Sequence, residues 1–447
     1  MRSESWPKIA IFALLVGSLL AISPELSQAA TITSGACSAT VDSSAGVSIY
    51  SSGGKCFIAF TSVDTHTWTV PSNIASASIF LVAGGGAGGA GAWGGGGGAG
   101  GIVFAANYAL TPSTLYTVVV GRGGTVGAAN LTPSSNRSNN GTNSWFGANT
   151  FAAIGGGAGA SYSYGTTGSV NGVNYTDGAP GGSGGGATEA NVNTVGGSAT
   201  QTTPSGADSS FGNHGGKTLN GGGNMSGAGG GGAGAAGADN ITSGVAGNGG
   251  AGATYSNLSV IDTIGAVTGY GQLVAGHYYF AGGGGGGSSG TGGSGGSGGG
   301  GAGGTPSTYI GQDATANTGG GGGGASYNSA SYAAGAGASG IVVISYTSIV
   351  TTSITASLLS PSTGTYRTLN TITATLVGAN TKVTFYENGR IIPGCKAVMS
   401  VGLISRCQWK PTTHGFVRLS IQAAATSGSA ASSTTAQLVI GQRQNNR

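Results

Sequence analysis

HTWTVPSNIASASIFLVAGGGAGG, residues 66–89, changes character partway along. Up to Ala83 it reads as strand, with HTWTV (66–70) and ASIFLVA (77–83) rich in β-branched and aromatic residues and separated by Pro71 and Asn73. From Gly84 it is almost pure glycine. The reverse change comes at GASGIVVISY, residues 337–346, where an apolar strand follows the last glycines. CFIAF (56–60), GIVFAA (101–106) and LYTVVV (115–120) read as further strands of the same kind. A chain that leaves a small sheet at Val82 and re-enters it at Ile341 holds everything between as a closed insertion.

Of the 447 residues 97 are glycine, and 84 of these lie between residues 84 and 340. A doubly wound enzyme is excluded by that content. Collagen is excluded too, because the glycines come in runs instead of at every third position. The same window has three basic and six acidic residues, too few for an extended polyelectrolyte. Ordering a glycine costs about 1–2 kcal/mol of backbone entropy with no side chain to bury, so the compensation must come from the backbone itself. Runs at 94–98, 229–232, 282–287 and 319–324 suit left-handed threefold helices, which have no internal hydrogen bonds and turn every N–H and C=O toward neighbours. Only glycine lets backbones approach that closely. A mid-run residue such as Gly284 then has no room for a β-carbon, whereas Gly290, in a Gly/Ser stretch, is expected to be freer.

The N-terminus has the pattern of an export signal: Arg2 and Lys8, an apolar run from Ile9 to Ile22, and small residues around Ser27-Gln28-Ala29. The expected product is secreted, extracellular or at the cell surface, and not membrane-spanning after cleavage, since the run falls short of the ~20 residues that cross a bilayer. Four cysteines in an exported chain imply two disulfides with three possible connectivities, of which the local one joins Cys37 to Cys56 and Cys395 to Cys407. No zinc spacing accompanies them, and His66, His214, His277 and His414 are scattered. The organisation read from composition is a signal at 1–29, an N-terminal disulfide segment at 30–56, a glycine-rich domain at 57–347, a β-sandwich at 351–441 and a polar tail at 442–447.

Chemistry-bearing motifs are few. GxSxG occurs at 181–185, 292–296 and 295–299, but a nucleophile elbow needs a strand before it and a helix after it, and no helical pattern is apparent nearby. GNHGGKT, residues 212–218, ends like a phosphate loop, yet its required first glycine is Phe211. GAAGADNIT, residues 234–242, approaches one calcium nonapeptide with Asp239 as ligand, but such rolls share each ion between successive copies. The expectation is no catalysis, no cofactor and no metal.

Tyrosine concentrates in SYSYGTTGSVNGVNYTDG (161–178), GYGQLVAGHYYFA (269–281) and SYNSASYAA (326–334), a Tyr/Ser/Asn composition typical of adaptable binding loops. Tyr162, Tyr164, Tyr175, Tyr270, Tyr278, Tyr279, Tyr327 and Tyr332 are therefore the candidate ligand-binding residues. The competing reading is that they cover the bundle. Residues 341–447 hold nine Lys/Arg and one acid, Glu387. Arg367, Lys382, Arg390, Lys396, Arg406, Lys410 and Arg418 form either a patch for anionic envelope polymer or a solvated face. Nucleic acid is not expected, because no stacking aromatics accompany the charge and the chain is exported.

HTWTVPSNIASASIFLVAGGGAGG, GGGGGAGGIVF (94–104), YTVVVGRGG (116–124) and GASGIVVISY resemble the glycine-rich domain of bacterial surface proteins and of tailed-phage fibre-tip adhesins. VTFYENGRIIPGC and LISRCQWKPTTHGFVRLSIQA, within 351–441, are similar to bacterial immunoglobulin-like repeats. The resemblance implies a mainly β protein: a strand framework enclosing stacked polyglycine II helices, distal loops that contact a cell-surface receptor or glycan, and an Ig-like β-sandwich as spacer or attachment unit. The corresponding function is a non-enzymatic exported adhesin. The alternative is a structural matrix or envelope component that self-associates.

Overall fold

In the computed structural model the described residues are 29–35, 37–127, 138–161, 169–170, 173–174, 176–188, 194–219, 225–327, 332–347, 353–358, 364–377, 380–413, 415–424 and 432–441. Residues 1–28, Tyr162, Tyr164, Tyr175 and the tail 442–447 lie outside them. The first strands in chain order are β1 (Ala30–Ser34), β2 (Cys37–Val41), β3 (Val47–Ser52), β4 (Lys55–Phe60), β5 (Thr65–Thr69) and β6 (Ser76–Val82). They are followed by β7 (Ile102–Ala109), β8 (Leu115–Val119), β9 (Ser144–Phe146), β10 (Ala148–Ala153), β11 (Ser169–Val170), β12 (Val173–Asn174) and β13 (Ser209–Phe211). The one helix among the described residues, α1 (Val260–Thr268), precedes β14 (Gln272–Val274), β15 (His277–Tyr279) and β16 (Ile341–Thr347).

Two six-stranded antiparallel sheets make the framework, ordered β1-β2-β5-β8-β9-β10 and β13-β7-β6-β16-β4-β3. The return of the chain is as expected: Ile341 lies opposite Val82 and Val342 opposite Leu81. The second sheet explains why its strands are apolar without alternation. Ile79 and Leu81 of β6, Val342 and Ile344 of β16, and Ile58 and Phe60 of β4 point into a core shared with the first sheet around Trp68 and Phe146. Phe80, Val82, Ile341, Val343, Phe57 and Ala59 point the other way, into a second core completed by Ile261 and Ile264 of α1 and by Phe280. A strand buried on both faces reads as a continuous hydrophobic run. The Cys37–Cys56 disulfide links β2 of one sheet to β4 of the other. The boundary expected between residues 56 and 57 thus falls inside β4. Residues 30–60 belong to the same framework as the strands that bracket the glycines.

The glycine segment leaves that framework as a lattice. In the run 94–101, the amides of Gly94, Gly97 and Gly100 donate to Ala325, Gly322 and Gly319, those of Gly95, Gly98 and Gly101 to Ala160, Gly157 and Ile154, and those of Gly96 and Ala99 to Ala228 and Gly231. The carbonyls repeat the pattern toward three other runs: Gly94 and Gly97 accept from Gly287 and Gly284, Gly95 and Gly98 from Gly89 and Gly86, and Gly96 and Ala99 from Gly186 and Ser183. Every partner changes with period three, the signature of a threefold helix with six neighbours. A β-carbon built on Gly95, Gly96 or Gly97 would come within 2.1, 2.0 and 2.2 Å of a neighbouring carbonyl oxygen. At the lattice margin, side chains replace missing backbone partners. Asn140 accepts from Ala158 N and donates to Pro180 O, Asn143 accepts from Gly155 N, and Asp313 accepts from Ala336 N.

The helix α1 is a departure from the sequence reading. Asp, Thr and Gly dilute its pattern, but Ile261, Ile264 and Thr268 share one buried face and Gly269 closes it in the left-handed conformation, its amide donating to Gly265 O.

The C-terminal residues form two sheets over one core. β17 (Ser353–Leu358), β19 (Asn370–Val377) and β23 (Ile404–Trp409) make the smaller. β18 (Gly364–Thr365), β20 (Lys382–Glu387), β21 (Arg390–Ile391), β24 (Gly415–Ala423) and β25 (Ser432–Gly441) make the larger, with β22 (Val398–Met399) on β20. Phe385, Trp409, Leu419, Ile421 and the Cys395–Cys407 disulfide fill the space between them. The Asn388–Gly389 turn has both residues at positive φ, as a two-residue hairpin between β20 and β21 requires.

Candidate recognition surface

Among the described residues, the lattice runs lead from the framework sheets to a distal layer of small polar residues. Thr188, Thr194, Thr218, Ser226, Asn240, Ser288 and Ser326 are buried in that layer, with Ser161. The hydroxyls continue the lattice where glycine stops. Thr188 donates to Trp93 O, Thr194 to Thr188 O at 2.7 Å, Ser288 to Gly244 O at 2.8 Å and Ser326 to Ser288 O. Asn240 Nδ2 donates to both Ser226 oxygens, O at 2.7 Å and Oγ at 2.8 Å. A hydroxyl or amide is small enough to sit at lattice spacing and both donates and accepts, so it can satisfy carbonyls left over at the end of a run.

Immediately beyond the layer lie aromatic pairs. Trp93 meets Tyr327 edge-on with ring centroids 5.1 Å apart, and Tyr309 stacks on Tyr332 at 4.7 Å. Gly91 and Tyr332 exchange backbone hydrogen bonds, and Tyr309 O accepts from Ser326 N at 2.7 Å, tying these rings to the layer. Trp93, Met225 and Tyr309 all adopt left-handed φ, which is costly for large side chains and fixes their direction. At the same end Met225, Ile241, Val245 and Ile310 are exposed, Ile241 by 61 %. Ser289 N bonds to Met225 O and Val245 bridges Thr291, so these residues belong to adjoining distal loops.

The candidate tyrosines therefore divide. Tyr327 and Tyr332 are at the distal end. Tyr270, Tyr278 and Tyr279 are not. Tyr278 and Tyr279 lie on β15 at the framework end, where the hairpin β14–β15 docks on α1. The Tyr278 ring lies so close over Gly265 that an added β-carbon would come within 2.1 Å of it. Tyr270 packs against the second core with Tyr50. The Tyr270 and Tyr278 rings cover the second core. Trp93, Tyr309, Met225 and Val245 were not singled out from sequence, and Ile241 figured only as the inward apolar residue of the nonapeptide-like GAAGADNIT.

Two polar clusters lie nearer the framework. Asp262 Oδ2 is 2.7 Å from His277 Nδ1, and Tyr278 N donates to Asp262 Oδ1 at 2.8 Å. The His277 hydrogen bond, with lesser help from the Tyr278 amide, holds the Asp262 carboxyl below its ordinary value. Tyr255 stacks on the His277 ring at 3.9 Å. In the other cluster, His66 Nε2 lies 3.0 Å from Ser62 Oγ and 3.2 Å from Ser62 O, with Asp42 at 3.8 Å from Nδ1. The Ser62 hydroxyl also lies 3.2 Å from Ala45 O, so His66, Ser62 and Asp42 together clamp the 42–46 turn. Asp239 accepts from Lys217 N at 3.0 Å, a lattice-margin role like that of Asp313. Among the described residues no group of three or more His, Cys, Asp or Glu side chains converges on a metal position. No helix among them is long and apolar enough to cross a membrane.

A model of the glycine-rich domain matches residues 61–347. No curated protein matches the chain.

Proposed function

The chain belongs to the glycine-rich domain family, and from that premise we propose that it is an exported, non-enzymatic adhesin whose distal end recognises a cell-surface receptor or glycan. In this reading the Ig-like C-terminal module, with its excess of cations, supports the bundle or attaches it to anionic envelope polymer. The observation that carries the proposal is that exposed Met225, Ile241, Val245 and Ile310 and the Trp93–Tyr327 and Tyr309–Tyr332 pairs lie at the same end of the lattice. Apolar side chains left in water on a scaffold with so few charges favour a partner that covers them. Two disulfides fit an oxidising location.

The test is binding of the full chain to whole cells and to a panel of immobilised glycans. A combined Met225→Ser, Ile241→Ser, Val245→Ser variant should lose binding at least tenfold with an unchanged melting temperature, since these side chains are exposed. Tyr279→Ala, at the framework end, should bind like the parent. Undiminished binding by the triple variant would overturn the proposal. A triple variant that instead loses self-association in sedimentation, with cell binding intact, would favour the matrix alternative.

A further inference from the structure

We propose that the C-terminal module holds an acidic saccharide in a cleft where its two sheets meet, with Arg390 and Lys410 binding a uronate-type carboxylate. The cavity has a volume of about 690 Å³, within the range of sites that hold a ligand of a few rings. One wall is the β20–β21 hairpin. The other is the end of β23 and the turn after it, and Leu369 closes one side.

The charge arrangement points to an anion. Arg390 and Lys410 both line the cleft and both are exposed. Glu387, the module's single acid, lines it too, yet makes an ion pair with neither. Its carboxylate is engaged otherwise, accepting the indole N–H of buried Trp409 at 3.0 Å and the Thr413 hydroxyl at 3.4 Å. An acid committed to holding the floor leaves the two cations without a counter-ion on a module of seven basic residues. Arg367 N donates to Pro411 O, next to Lys410, but its guanidinium lies over the Tyr366 ring, 5.1 Å from the centroid, and the cleft cations are Arg390 and Lys410 alone.

The remaining lining narrows the class. Asn388, Gln408 and Thr412 offer amide and hydroxyl groups, while Leu369, Ile391 and Pro393 offer aliphatic surface. Hydroxyls on one side of a ring and C–H groups on the other match that mixture, and a ring carboxylate matches the cations. The proposal rests on the reading of this module as the attaching unit. It can fail separately from recognition at the distal end, which uses other residues and another assay.

The test is calorimetric titration of the full chain with a tetramer of galacturonic acid, its methyl ester and tetraglutamate. The acid tetramer should bind, more weakly as salt is raised, and the neutral ester at least tenfold more weakly. Arg390→Gln and Lys410→Gln should each weaken the acid tetramer about tenfold. Lys382→Gln removes the same charge from β20 outside the cleft and should leave affinity unchanged. All three side chains are exposed, so unchanged melting confirms that the variants are folded. Equal losses in Lys382→Gln would reduce the effect to net charge and overturn the site. So would failure of the tetramer to bind, or equal binding of the ester. Tetraglutamate binding as tightly as the saccharide would replace the saccharide with an acidic peptide and overturn the class.

Discussion

At the scale of single residues, the glycine in this protein is a packing unit. A β-carbon on Gly284 would come within 2.0 Å of Gly322 O and 3.0 Å of Gly97 N, both on neighbouring runs, and Gly284 N and O are themselves lattice partners. Gly290 is exposed but not free, since its β-carbon would approach Gly244 O at 2.3 Å. The expected contrast between the two sites is therefore smaller than the sequence implied. At Gly290 one loop must yield; at Gly284 two runs must part and lose hydrogen bonds. Gly284→Ala should cost about 3 kcal/mol or more and Gly290→Ala about 1 kcal/mol, by the scale of overpacking penalties. Equal melting temperatures for the two variants would show that the runs are not packed as a lattice.

At the scale of elements, the strands were legible because burial on both faces leaves uninterrupted runs such as SIFLV and IVVIS, and Val82 and Ile341 mark where the lattice leaves and returns. The distal surface was half legible: Tyr327 and Tyr332 are there, but tyrosine content cannot tell one end of a run from the other. Tyr278 and Tyr279 follow Gly276 in a segment that looks like a loop in sequence. In the structure that segment is a hairpin docked on a helix whose apolar face is only three residues deep.

The docking has a testable electrostatic component. Asp262 holds His277 and the Tyr278 amide, and its carboxyl titrates below its ordinary value. A depressed folded value means stability present above the unfolded value of about 3.9 and lost as pH falls through the folded one. Amide exchange in residues 272–279, corrected for its intrinsic pH dependence, should stay slow from neutrality down to about pH 4 and accelerate below it. Asp262→Asn, which keeps an acceptor for Tyr278 N, should exchange faster at neutral pH and lose the acid step. An acid step of the same size in that variant would assign the loosening to another group.

For the whole molecule, two kinds of cohesion coexist in one chain. The lattice between residues 84 and 340 is held by backbone hydrogen bonds at close approach and buries little apolar side-chain area. The C-terminal module depends on a small hydrophobic core around Phe385 and Trp409. A module of this size is marginal on its core alone. The Cys395–Cys407 bridge closes a loop with a sequence separation of 12 inside that core, worth roughly 3 kcal/mol on the chain-entropy scale. Heating the full chain should give two transitions, and the smaller heat-capacity change per residue should belong to the glycine-rich part, which exposes less apolar surface on unfolding. Cys407→Ser, with Cys395→Ser to avoid a free thiol, should lower the C-terminal transition by roughly 10–20 °C. The other transition should move by no more than about a degree, since Cys37–Cys56 lies in the framework and stays intact. A single transition that shifts as a whole would mean that the two parts unfold as one cooperative unit, and the division of cohesion argued from their cores would have to be abandoned.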